Sequence, residues 1–323
     1  MKIQQLFLIC FPLLLLFSSC ANESNPSALQ GVGLLIEDTI DDQGWNSKGY
    51  QGLLNIHSSL DVHVDFKEEV NSRYDIVSAV EQFVEQDINL IFGHGHFFAD
   101  HFTTLSNDYP QVHFISFNGE VSGANVTNLA FDSYAMGYFA GMVAAAMTQT
   151  DRIAAIAAFS WQPEVRGYIA GAEYMNTNVE IEIKYVEDWA DEQTALSYFN
   201  ELNEHGYDVY YPAGDGFHVE VVERIKEEGL YAIGYIGDQS DLGEATILTS
   251  TIQHVDELYG LVATKFQAGE LKEGNHTFDF PDGVISLGEF GSQVPKEVQD
   301  TVQEALHTYM ETGMLPHEHE SKE

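Results

Sequence analysis

The sequence predicts an α/β protein of two lobes, each built on a parallel sheet flanked by helices. Three observations carry that prediction. Short apolar runs bounded by turn residues alternate with stretches of helical periodicity at an interval of roughly thirty residues, the pattern of strands joined by right-handed crossovers. The alternation starts afresh at Asp151, so the second half repeats the architecture of the first. A chain of 323 residues, 44% of them hydrophobic, is also more than one core of ordinary size takes up.

Residues 31–36 (GVGLLI) form an apolar run that suits a strand covered on both faces, and a helix opens at Gln43 and runs to His57. Residues 61–66 (DVHVDF) alternate polar and apolar, as a half-exposed strand does. Ile76, Val77, Val80, Phe83 and Val84 mark one buried face of a helix over 74–86. Strands at 88–92, 112–117 and 126–131 and a helix at 97–106 complete the first unit. A helix over 134–147 is dense in Gly and Ala, small residues that let helix and sheet backbones approach closely. The second unit reads as strands at 153–158, 179–186, 208–211, 231–236 and 246–249 alternating with helices at 163–176, 191–205 and 216–228. A helix at 255–268, a strand at 284–287 and a helix at 296–312 follow, and the acidic tail 313–323 reads as loose.

Charge and the amino terminus bound the function. Lys and Arg number 13 against 51 Asp and Glu, a formal charge of −38, so the surface repels phosphate backbones and direct nucleic-acid binding is not expected. Residues 1–19 read as an export signal: a brief positive start, then the apolar run 7–17, too short to span a membrane comfortably. Phe17-Ser18-Ser19-Cys20 resembles a bacterial lipobox, with Phe where Leu is usual, and makes Cys20 the expected site of lipidation. Residues 20–29 then form a polar tether. The expected location is the outer face of the cell membrane, held by a lipid. With Cys10 inside the signal, no disulfide or cysteine metal framework is open to the mature chain.

In an open α/β sheet, ligands bind outside the carboxyl ends of the strands. Asp38, Trp45 and Asn46 follow the first strand, and Asp215 and Asp238 follow strands of the second unit. Each Asp reads either as a ligand contact or as a turn or helix-capping residue. Trp45 and Trp189 read either as stacking faces or as packing residues, with Trp161 a weaker third. His94 and His96 flank Gly95, but no third metal ligand follows from spacing. No Gly-x-Ser-x-Gly elbow, P-loop or His-Glu-x-x-His motif occurs, so neither enzymatic activity nor a metal or other cofactor is expected.

Gly31-Val32-Gly33 with Asp41-Asp42-Gln43-Gly44-Trp45-Asn46, Gly93-His94-Gly95, Tyr138-Phe139-Ala140-Gly141, Asp238-Gln239 and Leu248-Thr249-Ser250 together resemble the basic-membrane-protein (BMP, PnrA-like) family of substrate-binding lipoproteins. The resemblance implies a type I periplasmic-binding-protein fold, two Rossmann-like lobes joined by three crossovers with a ligand cleft between them. It divides the chain into lobe 1, residues 30–132 plus about 251–280, and lobe 2, residues 133–250 plus about 281–312. It also implies a small nucleoside-like ligand passed to an ABC permease, with Trp45 and Trp189 facing each other across the cleft. Two positions depart from the family pattern. Asn118 stands where Asp is frequent, and Gln253 stands where Lys is common, which removes a cation from the neighbourhood of Asp215 and Asp238 and favours an uncharged or positive ligand. The stretches Gln162-Pro163-Glu164-Val165 and 211–216 look most similar to a branch of the family with a regulatory role in competence, which implies the alternative of a surface regulator in which transport is lost or secondary.

Overall fold

The computed structural model describes residues 29–40 and 44–320. The expected export signal, Cys20 and most of the tether lie outside the described residues, as do Asp41, Asp42, Gln43 and the last three residues.

In lobe 1, β1 (Gly31–Leu35), α1 (Trp45–Leu60), β2 (His63–Lys67), α2 (Arg73–Glu85), β3 (Leu90–Gly93), α3 (Phe97–Leu105), β4 (His113–Phe117) and β5 (Val126–Phe131) follow one another. The chain then enters lobe 2 with α4 (Ser133–Met147), β6 (Arg152–Ala157), α5 (Pro163–Met175), β7 (Glu180–Tyr185), α6 (Glu192–Glu204), β8 (Val209–Ala213), α7 (His218–Glu227), β9 (Tyr231–Gly234) and β10 (Ile247–Gln253). It returns to lobe 1 for α8 (Val255–Gln267) and β11 (Gly274–Phe278), and ends in lobe 2 with β12 (Ile285–Leu287), α9 (Lys296–Thr312) and α10 (Pro316–Glu320). The sheet orders are β11-β5-β4-β3-β1-β2 and β12-β10-β9-β8-β6-β7. The order β3-β1-β2 in one and β8-β6-β7 in the other is the internal repeat read from the sequence, now as geometry.

Alternation along the strands builds the layers. Leu34, Phe92 and Ile115 join the core shared with α1, α4 and α8, while Leu35, Ile91 and Phe114 face α2 and α3 on the other side of the sheet. In lobe 2, Ala155 and Tyr211 face the shared core, and Ala154, Ile156 and Tyr210 face α6 and α7.

Four features differ from expectation. The edge strand β11 was not foreseen. The lobe 2 sheet is not wholly parallel, because β12 runs antiparallel to β10, with Ile285 opposite Gln253 and Leu287 opposite Thr251. The reason is the short crossing out of β11, which delivers the chain to the cleft end of lobe 2, so the next strand must run away from it. Strand β10 extends to Gln253, four residues past the expected strand end at 249. The tail is not loose as far as Glu320: Leu315 is buried, its amide donates to Glu318 Oε2 at 2.7 Å, and the His317 ring stacks on Tyr138 at 5.2 Å.

Helix α4 is buried at every position from Ala135 to Ala145, which explains an apolar sequence with no polar face. Its glycines meet another helix rather than the sheet. A Cβ at Gly137 or Gly141 would lie 1.9 Å from Glu164 O or 2.0 Å from Tyr168 O, and one at Gly167 or Gly171 of α5 would lie 2.0 Å from Tyr134 O or 1.8 Å from Tyr138 O. The two helices touch backbone to backbone.

The three crossings between lobes are laced to one another. Asp132 N–H donates to Phe278 O at 2.8 Å and His254 N–H to Val284 O at 2.9 Å. The Gln253 amide donates to Ser133 Oγ at 3.2 Å, and His254 Nε2 lies 2.8 Å from Ser286 Oγ.

Candidate interlobe binding cleft

The carboxyl ends of β1, β3 and β4 in lobe 1 face those of β6, β8 and β9 in lobe 2, and α1 opens between them. Its N-cap, Gly44, has no side chain to offer. The first turn is capped from the other lobe: Trp45 N–H donates to both oxygens of Asp215, at 3.1 and 2.9 Å. Asp215 and Trp45, read separately as ligand candidates, are thus brought together and bonded to each other. An acceptor-only carboxylate at a helix start meets unsatisfied N–H groups and the positive end of the helix dipole.

The Trp45 indole is half-buried. It stacks on His94 with centroids 4.4 Å apart, sets its edge against Phe117 and Phe131, and donates through Nε1 to His94 O at 3.4 Å. His94 is a satisfied core histidine and not a metal ligand in waiting: Nε2 lies 2.7 Å from Trp45 O and Nδ1 lies 2.8 Å from Tyr259 Oη. A carbonyl only accepts, so in the neutral ring Nε2 carries the proton and Nδ1 accepts from Tyr259. Gly49 makes room for the ring, since a Cβ there would come 2.7 Å from it. His96 is exposed, and the described residues contain no cluster of three or more His, Cys, Asp or Glu side chains that could hold a metal.

Trp189 lies in lobe 2 among Phe159 at 5.3 Å and Trp161 at 5.8 Å. Each indole therefore takes its ring contacts from its own lobe, and the two do not form a ring pair. Trp161 is the most exposed of the three at 58%.

The remaining candidates separate. Asn46 donates through Nδ2 to Thr39 O at 3.1 Å and so ties Thr39 to the start of α1. Asn118 is exposed with φ +55°, a left-handed conformation that asparagine tolerates well. Asp38 is exposed. Asp238 is exposed as well and accepts from Ser240 N–H at 3.1 Å, the turn role. Gln253 is buried in the hinge.

A cation does occupy this region. Lys48, one turn after Trp45, reaches Gln253 O at 3.4 Å and packs against Gly237. Burial pulls its ammonium below the usual lysine range, while Asp256 and Asp215 pull it back up. Asp215 therefore has a cation in its neighbourhood, although position 253 itself carries none. A signal existed in the sequence: Lys48 is one of only 13 basic residues and sits three positions past Trp45.

Behind the lobe 2 strand ends lies a buried polar network that sequence reasoning missed. The Gln162 amide donates to Glu164 Oε1 at 2.9 Å and Ala213 O at 3.0 Å, and Tyr235 Oη donates to Glu164 Oε1 at 3.1 Å. Burial raises the Glu164 carboxyl above the usual range, partly opposed by these hydrogen bonds. A carboxyl raised on folding stabilises below its unfolded pKa and loses that contribution as pH rises through its folded value. Glu164→Gln is therefore expected to raise the melting temperature relative to wild type, with the gap growing as pH climbs above the ordinary carboxylate range. A gap that stays constant with pH in parallel thermal melts would show that Glu164 is ionised in the fold.

A family model described as ABC transporter substrate-binding protein PnrA-like matches residues 29–319. The chain belongs to the PnrA-like family. Its two lobes have the type I periplasmic-binding-protein fold, and the family is one of binding proteins and not of enzymes. This PnrA-like chain is 44% identical over 306 residues to the transcriptional activator protein med of Bacillus subtilis (strain 168), covering 95% of this chain and 96% of that protein. It superposes on the crystal structure of a transcriptional activator of the comK gene from Bacillus halodurans with a TM-score of 0.84 at 56% identity, over 88% of this chain and 99% of that one. An ABC transporter solute-binding protein from Aeropyrum pernix K1 shares the fold, with a TM-score of 0.72 at 19% identity over 89% of this chain and 81% of that one. Among the described residues, no helix is long and apolar enough to cross a membrane.

Proposed function

We propose that this PnrA-like protein is a surface regulator of the med type, an exported binding-protein body that influences competence gene expression from the membrane face. The observation that carries this reading is the use made of Gln253. In place of a cleft cation it is a buried amide bonded to Ser133 at the hinge, so a position that the family resemblance assigns to ligand holds the protein instead. Asn46 and Asp238 likewise spend hydrogen bonds on neighbouring backbone. Similarity points the same way, since the relatives described as activators are 44% and 56% identical over nearly their whole lengths. With a lipid on Cys20 and a formal charge of −38, the protein acts on transcription through another component and not by touching DNA.

The second reading is a nucleoside-binding protein for an ABC permease, favoured by the family and by the Trp45 indole beside the cleft, with Asp38, Asn118, Trp189 and Asp238 left to contact the ligand. A thermal-shift panel of nucleosides and bases, run beside a comK-promoter reporter in a deletion strain, separates the two. A true ligand at a hundred times its Kd adds about 2.7 kcal/mol to stability. The regulator reading expects no nucleoside to shift the melt and the deletion to lower reporter output. A large shift with guanosine or adenosine, together with unchanged reporter output, would establish the importer role instead.

A further inference from the structure

The bond between Asp215 and Trp45 joins two lobes through residues 170 positions apart. Both sides are shaped for it. On lobe 1, Gly44 leaves the space that the carboxylate fills, since a Cβ there would lie 1.8 Å from Asp215 Oδ1. On lobe 2, the loop bearing Asp215 is braced on each flank: Gly216 N–H donates to Trp189 O at 2.8 Å, and His218 Nδ1 lies 2.9 Å from Gly214 O. Lys48 lies within electrostatic reach of this half-buried carboxylate and makes its own interlobe contact through Gln253 O.

We propose that Asp215 is a built-in latch, an N-cap supplied by lobe 2 to helix α1 of lobe 1, which makes the closed form the resting state of this protein. A molecule that shifts an equilibrium does so only through its different affinities for the two states. Anything that enters near the start of α1 must therefore compete with a carboxylate of the chain itself. This holds whether the protein regulates or transports, so the test below does not depend on the function proposed above.

Two readouts decide it, in a chain whose Cys10 and Cys20 are replaced by Ser. The first is the rate at which a succinimidyl ester acylates Lys48, which lobe 2 covers. The second is the distance distribution between spin labels at Ser58→Cys and Gln193→Cys, on exposed faces of α1 and α6. Asp215→Ala should lower the ratio of closed to open molecules by roughly five- to thirtyfold, the scale of a lost N-cap, and raise the acylation rate to match. Gly44→Ala pushes the carboxylate out without altering it and should open the lobes in the same way. Asp215→Asn should stay closed, because an amide caps nearly as well. Faster acylation with no longer label distance in either Ala variant would mean a local contact only and overturn the latch. A wild type already divided between two distances would overturn it too, as would opening in Asp215→Asn equal to that in Asp215→Ala.

Discussion

Gly171→Ala, the addition of one methyl group, is expected to cost about 3 kcal/mol, the upper end of what overpacking by a methylene costs. The new Cβ would lie 1.8 Å from the carbonyl oxygen of Tyr138, and the other three glycines of the α4–α5 seam are blocked by backbone in the same way. A flexible side chain could swing aside, but a helix carbonyl cannot. The only relief is to separate two helices that carry the buried centre of lobe 2. Gly260→Ala is the matched control. It lies in α8 with nothing within 4 Å of its added Cβ, so there the substitution should stabilise by about 0.5 to 1 kcal/mol through helix propensity. Urea unfolding of both variants checks the contrast, and similar midpoints would refute the backbone seam.

The second large effect is acid sensitivity from His113. Burial pulls this imidazole down to about 4, against a weak opposing pull from Glu273. Its Nε2 lies 2.8 Å from Thr127 Oγ1, which in turn donates to Lys272 O, so the hydroxyl has a lone pair for a neutral ring's N–H. A histidine depressed on folding contributes stability that is full above the unfolded value of 6.5 and is lost as pH falls toward the folded one. The interval of about 2.5 units corresponds to about 3 kcal/mol between pH 6.5 and 4. His113→Gln keeps a donor for Thr127 but cannot ionise. The difference in unfolding free energy between variant and wild type should move in favour of the variant by that amount as pH falls, whereas a pH-independent difference would show a normal pKa. The comparison must be a difference, because a chain of charge −38 also gains stability in acid from reduced self-repulsion.

How much of this was legible in the sequence depends on where each element draws its stability. Strand β5 and helix α9 match their expected limits to within a residue, because apolar runs and helical periodicity are one-dimensional signals. Strand β11 could not be read, since Gly274, Asn275, His276 and Thr277 offer no apolar alternation and the strand is held by its backbone ladder with β5. The glycines of α4 were visible as small residues, but their partner helix was not. At the cleft, strand ends pointed to Trp45 and Asp215 individually. That one caps the other is a fact of tertiary geometry between residues 170 apart. Lys48 was legible in principle, because a helix places residues three apart on one face and so sets it beside Trp45.

The lacing of the three crossings sets what kind of motion the lobes can make. Three independent strands could twist, shear or splay, each absorbing its own change in dihedral angles. Here Asp132 is pinned to Phe278, Ser133 to Gln253, and His254 to both Val284 and Ser286. No crossing can bend without carrying the other two. The hinge thus behaves as a single pin with one rotation axis, and sliding of one lobe across the other would first require breaking hydrogen bonds at its edge. A lobe freed at the start of α1 can only swing.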